Sequence, residues 1–255
     1  MSLKDYFELK GKTVLVTGAA RGLGKEIALR LAQCEASVII ADIEYPQTTE
    51  KAIVDMGAQC VANKTDIADE DQVRHLADRV AAKYGKPDIL INNAGISQLG
   101  YTPTEDLPVE EWDNVLRINL RGTFLCCKYL GKLMINDGGG AIVNIASTAG
   151  IAGVPRAPAY CASKAGVILL TKSLALEWAR YNVRVNAIAP HYLKTDLTGG
   201  LRNSDEIYRK LVKQIPMKKF GETSEMVGAI IYLSSKASAY TTGAIITVDG
   251  GYLAQ

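Results

Sequence analysis

Residues 13–28, TVLVTGAARGLGKEIA, decide the fold of this chain. A β-branched run leads into a turn with three glycines and then into a segment of helical period, which predicts a strand, a tight turn and a helix. Gly18, Gly22 and Gly24 let the backbone turn sharply and approach a ligand closely. Because the N–H groups at the start of a helix favour an anion, the segment predicts a site for the phosphates of a dinucleotide. A turn of purely structural purpose is the alternative.

Short apolar runs and longer segments of helical period alternate along the rest of the chain. This alternation predicts βαβ units, a doubly wound α/β fold with a parallel sheet covered by helices on both faces. We expect one domain over residues 1–255, because no linker, repeat or low-complexity tract divides them. The predicted strands are 13–17, 37–40, 88–92, 141–146, 183–189 and 244–248, and the clearest predicted helices are 25–33, 69–85 and 165–180.

Residues 191–220 interrupt the alternation with a long polar excursion. Long excursions at the carboxyl end of a strand often hold substrate, so we expect a substrate-binding segment here. It contains seven Lys or Arg against three acidic residues, a balance that would attract a carboxylate or a phosphate. An ordinary solvated helix face is the alternative.

Composition excludes several classes of function. With a formal net charge of +2 the chain has no concentrated basic surface, so we expect neither a nucleic-acid nor a membrane partner. No apolar run approaches the ~18–20 residues that span a bilayer, and the N-terminus does not resemble a signal peptide. Five cysteines without a C-x-x-C pair predict reduced thiols and a cytoplasmic protein. Only two histidines are present, so we expect no metal site.

Asp42 ends the second predicted strand, 18 residues after Gly24. A carboxylate in this position accepts hydrogen bonds from both ribose hydroxyls of an adenosine and repels a 2′-phosphate, which favours NAD over NADP. Arg21 lies inside the glycine-rich turn and would attract a phosphate, which works against that preference. An acidic residue that merely ends a strand is the alternative.

Tyr160 and Lys164 lie one helical turn apart in AYCASKAG, residues 159–166. Most such pairs are ordinary neighbours on a helix surface, and a free phenol with a pKa of ~10 is a poor base at neutral pH. Lowering that pKa by about three units takes ~4 kcal/mol of preferential stabilisation of the phenolate. A lysine ammonium and the positive nicotinamide ring of NAD⁺ can supply it in a partly dry site. Tyr160 is then a candidate general acid/base.

Five motifs, in order, make the chain resemble the short-chain dehydrogenase/reductase family over nearly its whole length. The motifs are TGAARGLG (17–24), NNAG (92–95), Asn119 in RINLRG, Ser147 in NIAST and YCASK (160–164). The resemblance implies a Rossmann fold and a catalytic set of Asn119, Ser147, Tyr160 and Lys164.

The resemblance also implies a role for each member of that set. Tyr160 is the general acid/base, and Lys164 stabilises the phenolate and bonds the nicotinamide ribose. Ser147 orients the substrate oxygen, while Asn119 holds a water through which the lysine exchanges its proton. Taken singly, Ser147 is better explained as a turn cap and Asn119 as a helix break, but together they are better explained as a site.

Further cofactor contacts follow from the resemblance. Asp66 and Ile67 would meet the adenine, residues 93–95 would line the adenosine, and the segment after Pro190 would contact the nicotinamide carboxamide and the phosphates. The complete predicted cofactor set is Gly18, Arg21, Gly22, Leu23, Gly24, Asp42, Asp66, Ile67, Asn93, Ala94, Gly95, Tyr160, Lys164, Pro190, Leu193 and Thr195.

His191 stands where the family usually has glycine. A residue with a Cβ resists conformations that glycine permits, so the local backbone is expected to differ here. The imidazole either contacts substrate or faces solvent as a tolerated substitution. Arg156, four residues before Tyr160, joins His191 and Ser147 as a candidate substrate residue.

Within the family, residues 3–12 and 234–255 resemble dehydrogenases of sugars, polyols and sugar acids, of the gluconate 5-dehydrogenase kind. We therefore expect NAD(H)-dependent interconversion of a secondary alcohol and a ketone on such a small molecule. A 3-oxoacyl-thioester (acyl carrier protein) reductase is the alternative enzyme, and a nucleotide-binding sensor is the non-enzymatic one. The resemblance also implies a homotetramer assembled through the long helices, with 126–134 and 166–178 as candidate contact segments.

Overall fold

Seven parallel strands form one sheet in the order β3-β2-β1-β4-β5-β6-β7. The structure is a computed structural model that describes residues 2–98 and 102–255. The strands are β1 Thr13–Thr17, β2 Ser37–Asp42, β3 Cys60–Lys64, β4 Ile89–Asn92, β5 Gly140–Ile145, β6 Val183–Pro190 and β7 Ile245–Val248. This order is the doubly wound Rossmann architecture that the alternating pattern predicts.

Ten α-helices connect and cover the strands of the described chain. They are α1 Leu3–Phe7, α2 Gly22–Gln33, α3 Gln47–Asp55, α4 Glu70–Tyr84, α5 Val109–Leu116, α6 Thr123–Asn136, α7 Pro158–Trp178, α8 Gly199–Arg202, α9 Asp205–Lys213 and α10 Val227–Ser234. The predicted helices 25–33, 69–85 and 165–180 correspond to α2, α4 and α7. α7 begins at Pro158, so it includes residues 159–166, which the sequence predicts as the start of a helix, and Pro158 occupies its first turn.

The core has two halves, one on each face of the sheet. Along β1, Val14 and Val16 point to a cluster completed by α2, α3 and α10, whereas Leu15 points to a cluster completed by α4, α6 and α7. All three side chains are fully buried. Buried strands with apolar residues on both faces require helices on both faces, which confirms the predicted layering.

β3 was absent from the sequence prediction. It is one of the two edge strands of the sheet, its residues are only partly buried, and its sequence CVANK ends in two polar residues. An edge strand keeps one open side and therefore does not need the continuous apolar run by which the other strands are recognised.

Residues 158–181 are long and apolar enough, by length and composition, to span a bilayer, contrary to the expectation that no such run exists. Their placement explains the composition. The helix lies against β6 and the turn after β5, and it buries the charged Lys164 and several polar side chains in the interior. An apolar helix packed in this way belongs to the protein core.

The sheet order reverses at β1, which has β2 on one side and β4 on the other. The chain leaves the carboxyl ends of β1 and β4 in opposite directions, which opens a crevice where ligands bind in this architecture. The excursion 191–220 begins at the carboxyl end of β6, on the same side of the sheet as this crevice. It contains α8 and α9 before the chain continues into α10 and β7.

Candidate active site

The glycine-rich turn after β1 is held in a conformation that only small residues permit. Gly18 has φ +67°, and a Cβ on Gly24 would lie 2.0 Å from the Gly18 carbonyl oxygen. Asn93 Nδ2 donates to the carbonyl oxygens of Thr17 and Gly18, both at 3.0 Å. The loop after β4 therefore fixes the turn after β1 across the crevice.

The start of α2 is suited to an anion. Arg21 occupies the N-cap, and its side chain makes no capping hydrogen bond within the described part of the chain. Gly22 has φ +55°, and its side-chain position faces Thr195, whose Cβ lies 3.8 Å from a Cβ built there. Leu23 follows in the first turn and packs at the edge of the core. These features fit a pyrophosphate held between the first turn of α2 and the segment after β6.

Asp42, at the end of β2, has its carboxylate oriented by the backbone. Oδ2 accepts a hydrogen bond from Ala20 N at 2.9 Å, and Oδ1 accepts one from Glu44 N at 3.1 Å. Each carboxylate oxygen has a further lone pair, so the group keeps acceptor capacity for ribose hydroxyls. The carboxylate thus borders the same turn that would bind the phosphates.

The other predicted adenosine residues lie after β3 and β4. Asp66 accepts from Ala68 N at 2.9 Å and faces Arg117 at 3.8 Å, which fixes the loop, while Ile67 packs against Gly122. Asn93 N and Ala94 N both donate to Thr17 Oγ1 at 3.1 Å. Thr17 is a supporting residue that the sequence analysis missed.

Tyr160 and Lys164 lie on the first two turns of α7, as their spacing predicts. Lys164 is 5% exposed, and its Nζ donates to the carbonyl oxygen of Ile145 at 2.8 Å. The same Nζ is 5.7 Å from the centre of the Tyr160 ring. Burial lowers the pKa of Lys164 from 10.5 to about 8, because the surroundings solvate the ammonium poorly. A positive charge is therefore held within reach of the phenol.

The start of α7 is itself fixed by a residue that the sequence analysis did not identify. Gln98 Oε1 accepts from Ala159 N at 3.1 Å, and its Nε2 donates to the carbonyl oxygen of Arg156 at 3.1 Å. The Gln98 side chain is 2% exposed. No sequence pattern marks this glutamine, since its role depends on the loop after β4 meeting α7.

Asn119 lies in a π-helical turn, Arg117–Gly122, between α5 and α6. Its Oδ1 accepts from Ile96 N at 2.8 Å, and its Nδ2 donates to Ile96 O at 2.9 Å and to Ser163 Oγ at 3.1 Å. A Cβ built on Gly95 would lie 3.0 Å from Asn119 Oδ1 and 3.6 Å from Lys164 Nζ. Both polar atoms therefore border one small space beside Gly95.

Ser147 follows β5 by two residues and is 8% exposed. Its Oγ accepts from Ala149 N at 3.1 Å, so it caps a turn while its hydroxyl hydrogen stays available. Gly150, in the same turn, approaches α7 so closely that a Cβ would lie 2.6 Å from the Lys164 carbonyl carbon. The fold thus brings Asn119, Ser147, Tyr160 and Lys164 together at the carboxyl ends of the sheet strands.

A protein-family model described as "Enoyl-(Acyl carrier protein) reductase" matches residues 18–253. The match spans the glycine-rich turn, the catalytic set and the last strand. The chain belongs to the short-chain dehydrogenase/reductase family. It is accordingly a dehydrogenase/reductase that acts on CH–OH groups, with NAD or NADP as the cofactor typical of the family.

Curated relatives extend over the whole chain. It is 41% identical to D-threitol dehydrogenase of Mycolicibacterium smegmatis over 99% of this chain and 96% of that protein. It is 37% identical to NAD-dependent glycerol dehydrogenase of Listeria innocua, with 99% of each chain covered. It is 38% identical to a 3-oxoacyl-[acyl-carrier-protein] reductase of Thermotoga maritima, over 95% of this chain and 98% of that protein.

Solved structures agree with the fold. The structure of a gluconate 5-dehydrogenase from Burkholderia cenocepacia, in complex with NADP and tartrate, aligns with a TM-score of 0.95 and 33% identity over 100% of both chains. The resemblance to short-chain dehydrogenases of sugars and polyols is thereby confirmed, while the relatives differ among themselves in substrate and cofactor.

The segment after β6 is ordered around Pro190, Leu193 and Thr195. Leu193 is 7% exposed and pairs with Gly221, and Thr195 caps a short turn beside Gly22. His191 donates its backbone N–H to Val248 O at 3.3 Å and is not among the positive-φ residues of the described chain. The histidine therefore adopts a backbone that any residue can take and that does not require glycine, in agreement with the expectation for a residue with a Cβ at this position.

The expectation that His191 faces solvent is wrong. Its Nδ1 lies 2.8 Å from Thr148 Oγ1, and its ring stacks on Tyr252 at 3.8 Å. Arg156, in contrast, is exposed at φ +60° just before α7. Neither the stack nor the Thr148 contact has a sequence signal, because the partners are 43 and 61 residues from His191.

Part of the positive charge of the excursion is neutralised. Lys194 pairs with Glu222, and Lys219 pairs with Glu225. Arg202 donates to the Thr195 carbonyl oxygen at 2.9 Å. The two glutamates lie just beyond residue 220, so the count of charges within 191–220 overstated the net charge of this surface.

Proposed function

We propose that this short-chain dehydrogenase interconverts a secondary alcohol and a ketone on a polyol or sugar, or on a sugar acid, with NAD(H). The observation that carries the reaction is the buried Lys164 ammonium 5.7 Å from the centre of the Tyr160 ring, near the end of β5, which Ser147 follows by two residues. The substrate class rests on the D-threitol and glycerol dehydrogenases to which the whole chain is similar.

Hydride transfer to or from carbon is the chemistry that a bound nicotinamide supplies. Tyr160 moves the proton at the substrate oxygen, as base in oxidation and as acid in reduction. Ser147 holds that oxygen through its hydroxyl, and Lys164 favours the phenolate by its charge. A water in the space between Asn119 Oδ1 and Lys164 Nζ would connect the lysine to solvent.

NAD is the proposed cofactor because of Asp42. Two backbone N–H groups orient its carboxylate toward the turn after β1. There the carboxylate would accept hydrogen bonds from the ribose hydroxyls and repel a 2′-phosphate. The relatives are divided on this point. One is an NAD-dependent glycerol dehydrogenase, and a gluconate 5-dehydrogenase structure contains NADP.

An uncharged polyol is favoured over an anionic sugar acid at this site. Lys194 and Lys219, the two excursion lysines nearest the segment after β6 and the start of α10, are paired with glutamates. A paired lysine attracts an incoming carboxylate less than an isolated one, because the neighbouring negative charge cancels most of its field. Arg156 remains the candidate for an anionic group.

A 3-oxoacyl-thioester reductase is the second candidate. It is favoured by the 38% identity to a 3-oxoacyl-[acyl-carrier-protein] reductase and by the description of the matching family model. The two functions share the catalytic set and differ in what the excursion accommodates and in cofactor, since a reductase of this kind generally uses NADPH.

We also propose a cytoplasmic homotetramer. Leu169 and Leu176 of α7 are 65% and 86% exposed, and Phe124 of α6 is 44% exposed. Large apolar side chains on two long helices are typical of a surface that another subunit covers. All five cysteines are unpaired thiols, which suits a reducing compartment.

Initial rates test the proposal. NAD⁺ and NADP⁺ are each supplied with glycerol, D-threitol, xylitol, sorbitol and gluconate, and NADH and NADPH are each supplied with an acetoacetyl thioester. The Tyr160→Phe variant is the control for contaminating dehydrogenases. Oxidation of a polyol with NAD⁺ supports the proposal, whereas thioester reduction by NADPH alone replaces it with the second candidate.

A further inference from the structure

His191 contacts the turn that carries Ser147. Its Nδ1 lies 2.8 Å from the hydroxyl of Thr148, the next residue in the chain, and Thr148 is 2% exposed. The same turn lies on α7 at Lys164, where Gly150 allows close approach. A hydrogen bond to Thr148 therefore acts on a rigid segment whose position sets that of the Ser147 hydroxyl.

The His191 ring also belongs to a continuous row of aromatic side chains. It stacks on Tyr252 at 3.8 Å and 11°, and it meets Tyr192 at 4.3 Å. Tyr192 stacks on Phe220 at 4.9 Å, and Phe220 meets Tyr208 at 4.9 Å. Tyr208 belongs to α9, so the row connects the C-terminal turn to the helix of the excursion.

The row is anchored at two points. Asp249 accepts from Gly251 N and Leu253 N, both at 2.9 Å, which fixes the turn that presents Tyr252 at one end of the row. Phe220, next to the other end, is fully buried. His191, the second ring of the row, lies between these two points and contacts the Ser147 turn.

His191 does not present a polar atom to the open site. Its Nε2 is buried and has no hydrogen-bond partner within residues 2–98 and 102–255. Burial lowers the pKa of the imidazole to about 4, so the ring is neutral at physiological pH. A neutral ring with one nitrogen on Thr148 and one face stacked on Tyr252 is suited to hold structure and unsuited to carry a proton.

We propose that His191 is a positioning residue that orders two parts of the substrate site at once, an assignment that rests on the proposed dehydrogenase function. Its hydrogen bond with Thr148 positions Ser147, and its stack on Tyr252 together with its tilted contact with Tyr192 fixes the excursion over the site. Glycine at this position could make neither contact.

The two contacts have separable consequences. Loss of the hydrogen bond misplaces the hydroxyl that orients the reacting oxygen, which lowers kcat. Loss of the stack frees the excursion, which weakens binding of the alcohol and raises KM. The side chains at 148, 191 and 252 are not among the predicted cofactor contacts, so NADH affinity is expected to change little.

The test uses the full chain and four single variants. His191→Phe keeps the ring and removes the nitrogen, and Thr148→Val removes the hydroxyl at equal volume. Tyr252→Leu removes the stacked ring, and Tyr252→Phe is its matched control. Three quantities are measured for each variant and for the Thr148→Val/His191→Phe double variant. They are the steady-state kinetics with the polyol that the wild-type enzyme oxidises, the NADH dissociation constant, and the amide hydrogen exchange of peptides covering 205–220.

His191→Phe and Thr148→Val are each expected to lower kcat about five- to tenfold with KM within about twofold, the scale of one hydrogen bond. The double variant is expected to match the worse single variant, since both remove the same bond. Tyr252→Leu is expected to raise KM about fivefold and to speed exchange in 205–220, and Tyr252→Phe to do neither.

Multiplicative losses in the double variant, or unchanged exchange in Tyr252→Leu, overturn the proposal. The exchange experiment needs no substrate. If the chain oxidises no alcohol, slow exchange of 205–220 in wild type and fast exchange in Tyr252→Leu still support the anchoring role, while unchanged exchange refutes it independently of the proposed function.

Discussion

Lys164 Nζ donates to the carbonyl oxygen of Ile145 at 2.8 Å, and this bond ties α7 to the end of the strand that leads to Ser147. The contact holds the ammonium near the strand end that leads to Ser147 and 5.7 Å from the ring centre of Tyr160, the two residues proposed to act on the substrate oxygen. It also buries a charge that water would solvate better, which is the cause of the lowered pKa. The protein thus accepts a cost in stability to place a cation beside Tyr160.

Burial of Lys164 makes the free energy of unfolding depend on pH. The folded pKa of Lys164 is about 8 against 10.5, so between these values the unfolded chain binds the proton that the folded chain has lost. Stability contributed by this group therefore rises with pH in that window. The melting temperature of wild type minus that of Lys164→Met is expected to grow by about 5 °C from pH 8 to 10 and to be flat from 5.5 to 7.5. A constant difference across pH 8 to 10 would show that the lysine titrates normally.

Tyr160→Phe removes the only atom that exchanges a proton with substrate in the proposed mechanism. We expect kcat to fall at least about a thousandfold, because general acid/base catalysis typically contributes this much. The dissociation constant for NADH, from nucleotide fluorescence, should stay within about threefold. Residual turnover near the wild-type value would remove Tyr160 from its role.

Asp42→Ala is expected to shift the cofactor preference toward NADP. The change removes the carboxylate that accepts from Ala20 N and Glu44 N and thereby removes its repulsion of a 2′-phosphate. The ratio of kcat/KM for NAD⁺ to that for NADP⁺ should fall at least about tenfold. Glu44→Ala is the matched control, since it deletes a nearby exposed carboxylate and keeps the Asp42 bonds. An equal ratio in wild type and Asp42→Ala would contradict the ribose role.

His191 predicts a loss of stability in acid. Its folded pKa of about 4 lies below the ordinary 6.5, so the unfolded chain gains a proton first as pH falls and the folded state loses stability between those values. His191→Phe lacks this penalty, and its melting temperature should fall about 2 to 5 °C less than that of wild type between pH 7 and 4.5. The chain has one other histidine, His75, which is exposed, and His75→Gln should follow wild type. The same acid dependence in wild type and His191→Phe would refute the assignment.

Local sequence signals were sufficient to predict those features that depend on a short segment of chain. The glycine-rich turn, the Tyr160–Lys164 spacing and the six apolar strands are all readable, because each is specified by residues within a few positions of one another. β3 escaped detection, since an edge strand need not be apolar throughout. The first two turns of α7, PAYCASK, lack the apolar spacing by which helices are recognised, and only the Tyr160–Lys164 spacing indicates a helix there.

Contacts between distant segments required the structure. Gln98 capping α7, Thr17 holding the loop after β4, and Glu222 and Glu225 neutralising excursion lysines involve partners that no local pattern pairs. His191 illustrates the point most clearly. The sequence marks it as a departure from glycine, and only the packing shows that its ring lies between Thr148 and Tyr252.

The sequence by itself determined the fold class, because the alternation of apolar runs and helical periods is a local pattern. The reaction class and the predicted catalytic set followed from the short motifs by which the chain resembles the short-chain dehydrogenase/reductase family. The tertiary structure decided which charges remain unpaired around the site, how far the ammonium is desolvated, and which side chains hold the excursion. Those properties depend on burial and on distances between residues remote in the chain, and they arise only once the sheet has brought the carboxyl ends of its strands together.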